Sequence, residues 1–248
     1  MTSDPLRPPS RIREALGGAR GRGVRVGVID SGWDRSLAEP RVLPGAGFVG
    51  PGSDFALARS GDDGDRLGHG TACADLVLRM APAAEIVPIR VFGGRLETSP
   101  EVLAAAIEWA ADEGIPLVNV SLGTTLEHAR APLLAACERA SRAGVTLVAA
   151  APNGPAPAYP ASFPGVIGVD ADRFPSPWDF RYRAGEAIEC TAAGHEQRLR
   201  WLGGREEVKS GTSFAAPHIT GIIALILERN PGASPLQVRQ ILARLAHQ

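Results

Sequence analysis

Short apolar runs alternate along this chain with segments whose apolar residues recur at helical spacing, and that alternation restricts the fold more than any other feature. Val24–Ile29 is apolar apart from Arg25 and Gly27 and ends in the polar turn Asp30-Ser31-Gly32. Glu85–Phe92, Leu117–Leu122, Val145–Ala150 and Val166–Val169 read in the same way, with a short strand near Gly47–Val49. Runs that are continuously apolar suit strands covered on both faces. Between them, helical spacing marks His69–Met80, closed by Pro82, and a segment opened by Ser99-Pro100-Glu101 that runs to about Glu113. A third helix spans Ala131–Ala143 and ends at Gly144. Strands separated by single helices of about 10–15 residues predict an α/β fold: a doubly wound, mostly parallel sheet with helices on both faces.

The flanking segments complete the layout. Residues 5–23 hold five arginines and a short helical pattern around Ile12–Leu16, which predicts a surface helix leading into the first strand. Residues 175–210 read as short antiparallel strands and turns. Thr212–Arg229 is apolar nearly all round, hence a buried helix, and Ser234–His247 is a final amphipathic one. We therefore divide the chain into a helical lead-in, 1–23, and a single domain, 24–248.

Composition removes several function classes. Basic and acidic residues number 26 and 27, so no overall field draws the protein to nucleic acid. Lys209 is the only lysine, which leaves Schiff-base and Ser–Lys chemistry no other carrier. The longest apolar stretch, Ile219–Leu227, is far short of the ~20 residues of a membrane span. Met1–Ser10 contains Asp4 and three prolines and does not read as a signal peptide. Cys73, Cys137 and Cys190 match no zinc or CxxC spacing and fit reduced thiols. A cytoplasmic protein is expected, without nucleic-acid or membrane partners.

Three segments place reactive side chains where a strand or helix ends: Val28-Ile29-Asp30-Ser31-Gly32, Gly68-His69-Gly70-Thr71 and Gly211-Thr212-Ser213-Phe214-Ala215-Ala216-Pro217. In parallel sheets, sites form beyond the carboxyl ends of the strands. Singly, each segment has a bland reading as a turn or a cap. Together they suggest nucleophilic acyl transfer. Ser213 attacks, His69 takes and returns its proton, and Asp30 orients His69. The free N–H groups of the helix beginning at Ser213 favour a developing oxyanion.

In the order Asp, His, Ser, these segments resemble the subtilisin-like serine proteases, the subtilase family (peptidase S8). The resemblance covers roughly residues 24–229. Val118-Asn119-Val120-Ser121-Leu122-Gly123 resembles the family's substrate-binding strand, and Val148-Ala149-Ala150-Ala151-Pro152-Asn153 resembles the segment with its oxyanion-hole asparagine. The resemblance implies that Asn153 donates to the oxyanion and that Ser121, Leu122 and Gly123 pair with substrate backbone. It also implies that Ala150, Ala151 and Ala158 line an open apolar pocket, with Gly94, in Gly93–Leu96, on the opposite edge.

The function so implied is a serine endopeptidase acting on peptide or protein substrates, with a dedicated processing role. A peptide-tailoring acyl transferase or cyclase and an inactive peptide-binding module are the alternatives. No cofactor is required and no metal is assigned: the resemblance leaves calcium open at Asp62, Asp63 and Asp65, but the sequence does not support it, since they lack a calcium-ligand spacing and read as a solvated loop. The 23 residues before the first strand leave no room for the pro-domain of secreted relatives. Cys73, one turn after His69, is expected just beneath it as a buried structural thiol, with displacement of the imidazole by thiol reagents as the functional alternative.

Overall fold

β1 (Arg25–Asp30) is buried along all but its first residue and lies inside an eight-stranded sheet. It pairs in parallel with β3 (Glu85–Arg90) on one side and β4 (Leu117–Val120) on the other. The structure is a computed structural model that describes residues 8–48, 59–152, 154 and 157–246. The remaining strands are β2 (Ala46–Gly47), β5 (Thr146–Ala150), β6 (Val166–Asp172), β7 (Phe180–Tyr182) and β8 (Cys190–Ala193). Their order is β2-β3-β1-β4-β5-β6-β8-β7, and every pairing except β7–β8 is parallel. After β1 the chain builds β2 and β3 to one side and β4 onward to the other. The reversal opens a crevice at the carboxyl end of β1, where Asp30 stands.

Helices cover both faces. On one face α2 (His69–Met80) packs on β1 and α5 (Thr212–Arg229) on β4, β5, β6 and β8, while α1 (Ser10–Leu16) and α6 (Pro235–Leu245) pack on α5. Leu76, Ile222, Ile12 and Leu242 share one buried cluster with Val26 and Val28. On the other face, α3 (Pro100–Asp112) and α4 (Arg130–Arg142) set Leu103, Ile107 and Leu133 against Ile29, Ile89 and Val118. Local signals fix the helix starts. Ser99 Oγ accepts from Val102 N at the head of α3, and Ser234 with Gln237 forms a capping box at the head of α6. α2 and α5 approach closely because Gly221 lacks a Cβ, which would stand 2.3 Å from the Met80 Cβ. Among the described residues no helix is long and apolar enough to cross a membrane.

Residues 175–210 hold short antiparallel pairs as expected, but one of their strands does more: β8, antiparallel to β7, also extends the main sheet in parallel beside β6. Its small buried side chains, Cys190, Ala192 and Ala193, let α5 pack over it, but four residues are too few for that burial to be read from periodicity. β7 pairs antiparallel at the sheet edge, and β9 (Gln197–Arg200) and β10 (Glu206–Lys209) make a separate antiparallel pair.

The approach to β1 is held by one carboxylate. Glu228, near the end of α5, accepts from the backbone N–H groups of Arg20, Gly21 and Arg22 at 2.7, 2.6 and 2.8 Å. Partial burial works against its charge, yet the three donors hold the carboxyl below its ordinary range. Glu228→Ala is expected to lower the denaturant midpoint by about 1–2 kcal/mol equivalent, with an unchanged slope. The loss should shrink on acidification, because a lowered carboxyl pKa stabilises above 4.5 and ceases to as pH falls through the folded value.

Candidate active site

Asp30 ends β1 with no exposed surface. Its Oδ1 accepts from Ser31 N at 2.7 Å, and both carboxylate oxygens lie 2.8 Å from His69 Nδ1. His69 is the first residue of α2, and two contacts set where that helix begins. Asp65 accepts from Leu67 N and Gly68 N through Oδ1 and from Thr71 N and Oγ1 through Oδ2. Ser31 Oγ accepts from Gly70 N at 2.8 Å, an approach that a Cβ on Gly70, 2.4 Å from the Gly32 carbonyl oxygen, would forbid.

Burial alone would lower the His69 pKa, but the Asp30 charge at contact distance opposes it and wins, so the imidazole is held well above 6.5. Nδ1 faces the carboxylate and carries the proton, which leaves Nε2 as the basic atom.

In the 62–65 run Asp62 is exposed, as expected of a solvated loop, but Asp63 is buried, and all three carboxylates anchor other parts of the chain. Asp63 is buried and takes the Arg35 guanidinium and Gly45 N. Asp62 takes Arg66 and the buried Arg90, and Asp65 is the helix cap described above.

Ser213 is the second residue of α5, whose first-turn amides have no intrahelical acceptor. Pro217 has no N–H to give the Ser213 carbonyl four residues back. That carbonyl is met from outside the helix instead, by Ser121 Oγ at 3.1 Å and Cys73 Sγ at 3.4 Å. Ser121 Oγ in turn accepts from Asn119 Nδ2 at 2.8 Å, and Asn119 Oδ1 lies 2.9 Å from the Thr220 hydroxyl. The backbone of Ser213 is thereby tied through buried side chains to β4. Its own hydroxyl donates to the Ser121 carbonyl at 3.1 Å, and among the described residues no hydrogen bond joins it to His69. Cys73 is fully buried with Sγ 3.8 Å from His69 Nδ1, where the one-turn spacing puts it. Burial pushes its thiol up, so the charge beside His69 is that of Asp30.

His69 and Ser213 line one cleft of about 340 Å³. Of the residues singled out from the sequence, Ser121, Leu122, Gly123, Ala150, Ala151 and Ala158 line it as well. Asp30 stands behind His69. Asn153 lies outside the described residues. Gly94 does not line the cleft: it is exposed, and Phe92 and Leu96 wall that side. Thr125, Pro152 and Thr212 complete the lining. Phe92, an apolar residue at the end of a strand, and Pro152, inside the segment that resembles the oxyanion-hole strand, carried a readable signal; Thr125 carried none. Gly123 passes close to the other wall, since a Cβ there would stand 2.9 Å from the Tyr159 carbonyl oxygen.

The cleft thus brings together an imidazole held by a buried carboxylate and a serine hydroxyl at a helix start. The chain belongs to the subtilase family, whose model matches residues 21–248. It is 33% identical over 241 residues to the thermostable alkaline protease of Halalkalibacterium halodurans, covering 92% of this chain and 63% of that protein. To subtilisin Savinase of Lederbergia lenta it is 33% identical over 242 residues, 92% of this chain and 85% of the relative. Among solved structures it is similar to a cold-adapted subtilisin-like serine proteinase, with a TM-score of 0.77 and 28% identity over 92% of this chain and 83% of that one.

Proposed function

We propose that this chain is a serine endopeptidase that hydrolyses peptide bonds through an acyl-enzyme on Ser213. The observation that carries the reading is the buried Asp30–His69 contact at 2.8 Å beside Ser213, in a chain that belongs to the subtilases. Substrate lies along Ser121–Gly123 as an added strand. The Ser213 hydroxyl turns from the Ser121 carbonyl to His69 Nε2 and yields its proton as Oγ attacks. The imidazolium then protonates the leaving amine, and water repeats the sequence to release the acid. The oxyanion is received by the Ser213 N–H and the Asn153 amide.

Every group in this scheme is a protein group, so the chemistry calls for no cofactor, and the Asp62–Asp65 carboxylates are already committed to guanidinium and N–H donors. Ala150, Ala151 and Ala158 around the cleft, with Phe92 and Leu96, favour apolar substrate side chains. Three unpaired buried cysteines support a cytoplasmic location.

A peptide-library digest read by mass spectrometry, with fluorophosphonate labelling in parallel, tests the reading. Hydrolysed products and a label on Ser213 are expected. Products capped by amines instead of water identify an acyl transferase, and neither products nor label identifies a binding module. Asn153→Ala is expected to lower kcat by about 10²–10³-fold with little change in KM. An unchanged kcat removes Asn153 from the oxyanion site.

A further inference from the structure

We propose that the cavity between the end of α2 and His218 of α5 is a binding site for a phenol that carries a carboxylate, separate from the cleft at Ser213. The cavity measures about 470 Å³, more than the cleft, and falls in the range of roughly 300–1,000 Å³ of small-molecule sites. The two spaces share no lining residue. Leu76, Met80, Phe174, Pro175 and Pro177 give the cavity apolar walls. His218 lines it as well, although only 2% of that residue is exposed. Its Nδ1 donates to the Ala193 carbonyl at 2.8 Å, which leaves a lone pair on Nε2. Nε2 has no hydrogen-bond partner among the described residues and is not sealed by protein, so it opens on the cavity. Burial pushes the imidazole down to about 4, against the Ala193 carbonyl, so near neutrality Nε2 is an acceptor in want of a donor.

The ligand's chemistry follows from these walls. An ammonium would meet the Arg79 charge that already acts on His218, so the donor is neutral. Apolar walls that include Phe174 suit an aromatic ring, and a phenolic O–H is the strongest neutral donor such a ring carries. Three guanidiniums, of Arg79, Arg173 and Arg198, line the cavity against one carboxylate, that of Glu196. Arg79 is held by Asp75 and by the Arg198 carbonyl, and Arg173 by Glu196. Arg198 is exposed and has no carboxylate partner among the described residues, so its guanidinium is free for an anionic group on the ligand. A free phenolic acid and a peptide ending in tyrosine both present this pair of groups.

Calorimetric titration of the full chain with para-hydroxyphenylpropionate is expected to show one site per chain. Phenylpropionate, which lacks the hydroxyl, should bind about 10-fold more weakly. Arg198→Gln, an exposed change that keeps the backbone carbonyl Arg79 uses, should weaken the phenolic acid by about 5-fold. With the histidine nitrogens isotopically labelled, the His218 Nε2 resonance should move on binding while those of His69 stay in place; this reads the buried residue without substituting it. An acetylated dipeptide ending in tyrosine that binds equally well identifies a peptide end as the source, and one that does not bind identifies a free acid. Absence of binding, equal affinity for the two propionates, unaltered affinity in Arg198→Gln, or movement of the His69 resonances alone overturns the proposal. None of these measurements uses catalysis, so the result stands apart from the peptidase reading.

Discussion

Ser213→Ala is expected to reduce peptide hydrolysis by about 10⁶-fold, the loss subtilisin itself shows when its nucleophile is removed. The expectation follows from what the hydroxyl touches. Among the described residues its hydrogen bond is to the Ser121 carbonyl, so within them it holds no other element in place. The backbone contacts that seat this residue, from Ser121 Oγ and Cys73 Sγ to its carbonyl, survive the substitution. Alanine also suits the first turn of a helix, and stability should change by less than about 1 kcal/mol. The cleft therefore keeps its shape and binds peptide with unaltered affinity while the covalent step is lost. What persists is a rate about 10³–10⁴-fold above water, supplied by binding and oxyanion stabilisation. Pre-steady-state kinetics with an activated ester, alongside a binding titration, separates the two effects. Retention of more than about one percent of the rate would assign the nucleophile elsewhere.

The extents of the two helices that carry His69 and Ser213 were legible because their signals are local: Pro82 follows the end of α2, and α5 is apolar along most of Phe214–Leu227. The contact of Ser31 Oγ with Gly70 N, which helps to set the start of α2, spans 39 residues and was not legible. Convergence of Asp30, His69 and Ser213 was legible only through chain order and resemblance; no periodicity brings residues 39 and 144 positions apart together. Two features were hidden for a shared physical reason. The aspartates at 62, 63 and 65 read as a solvated loop because their partners, among them Arg35, Gly45 and Arg90, come from other parts of the chain. The link from Thr220 through Asn119 and Ser121 to the Ser213 carbonyl joins α5 to β4 and exists only once Pro217 has left that carbonyl without a donor.

Asp30→Asn is expected to lower kcat by about 10⁴-fold and to move the pH profile of what survives. An amide in place of the carboxylate no longer fixes the proton on Nδ1, so Nε2 is not reliably the free base. It also removes the charge that overcomes burial and holds the His69 imidazole well above 6.5. In the parent enzyme kcat/KM should therefore climb with pH through an ionisation above 6.5, since only the deprotonated imidazole accepts the serine proton. In the variant the largest influence opposing burial is gone, and the midpoint falls below that of the parent.

Stability runs the other way. A histidine whose folded pKa is raised stabilises fully below its unfolded value of 6.5, and that contribution is lost as pH rises through the folded value. The parent protein should accordingly become less stable over the alkaline range in which it becomes more active, and Asp30→Asn should flatten that decline. Paired measurements of kcat/KM and denaturation midpoint against pH test both arms. Matching midpoints in parent and variant would show that the Asp30 carboxylate does not set the basicity of His69.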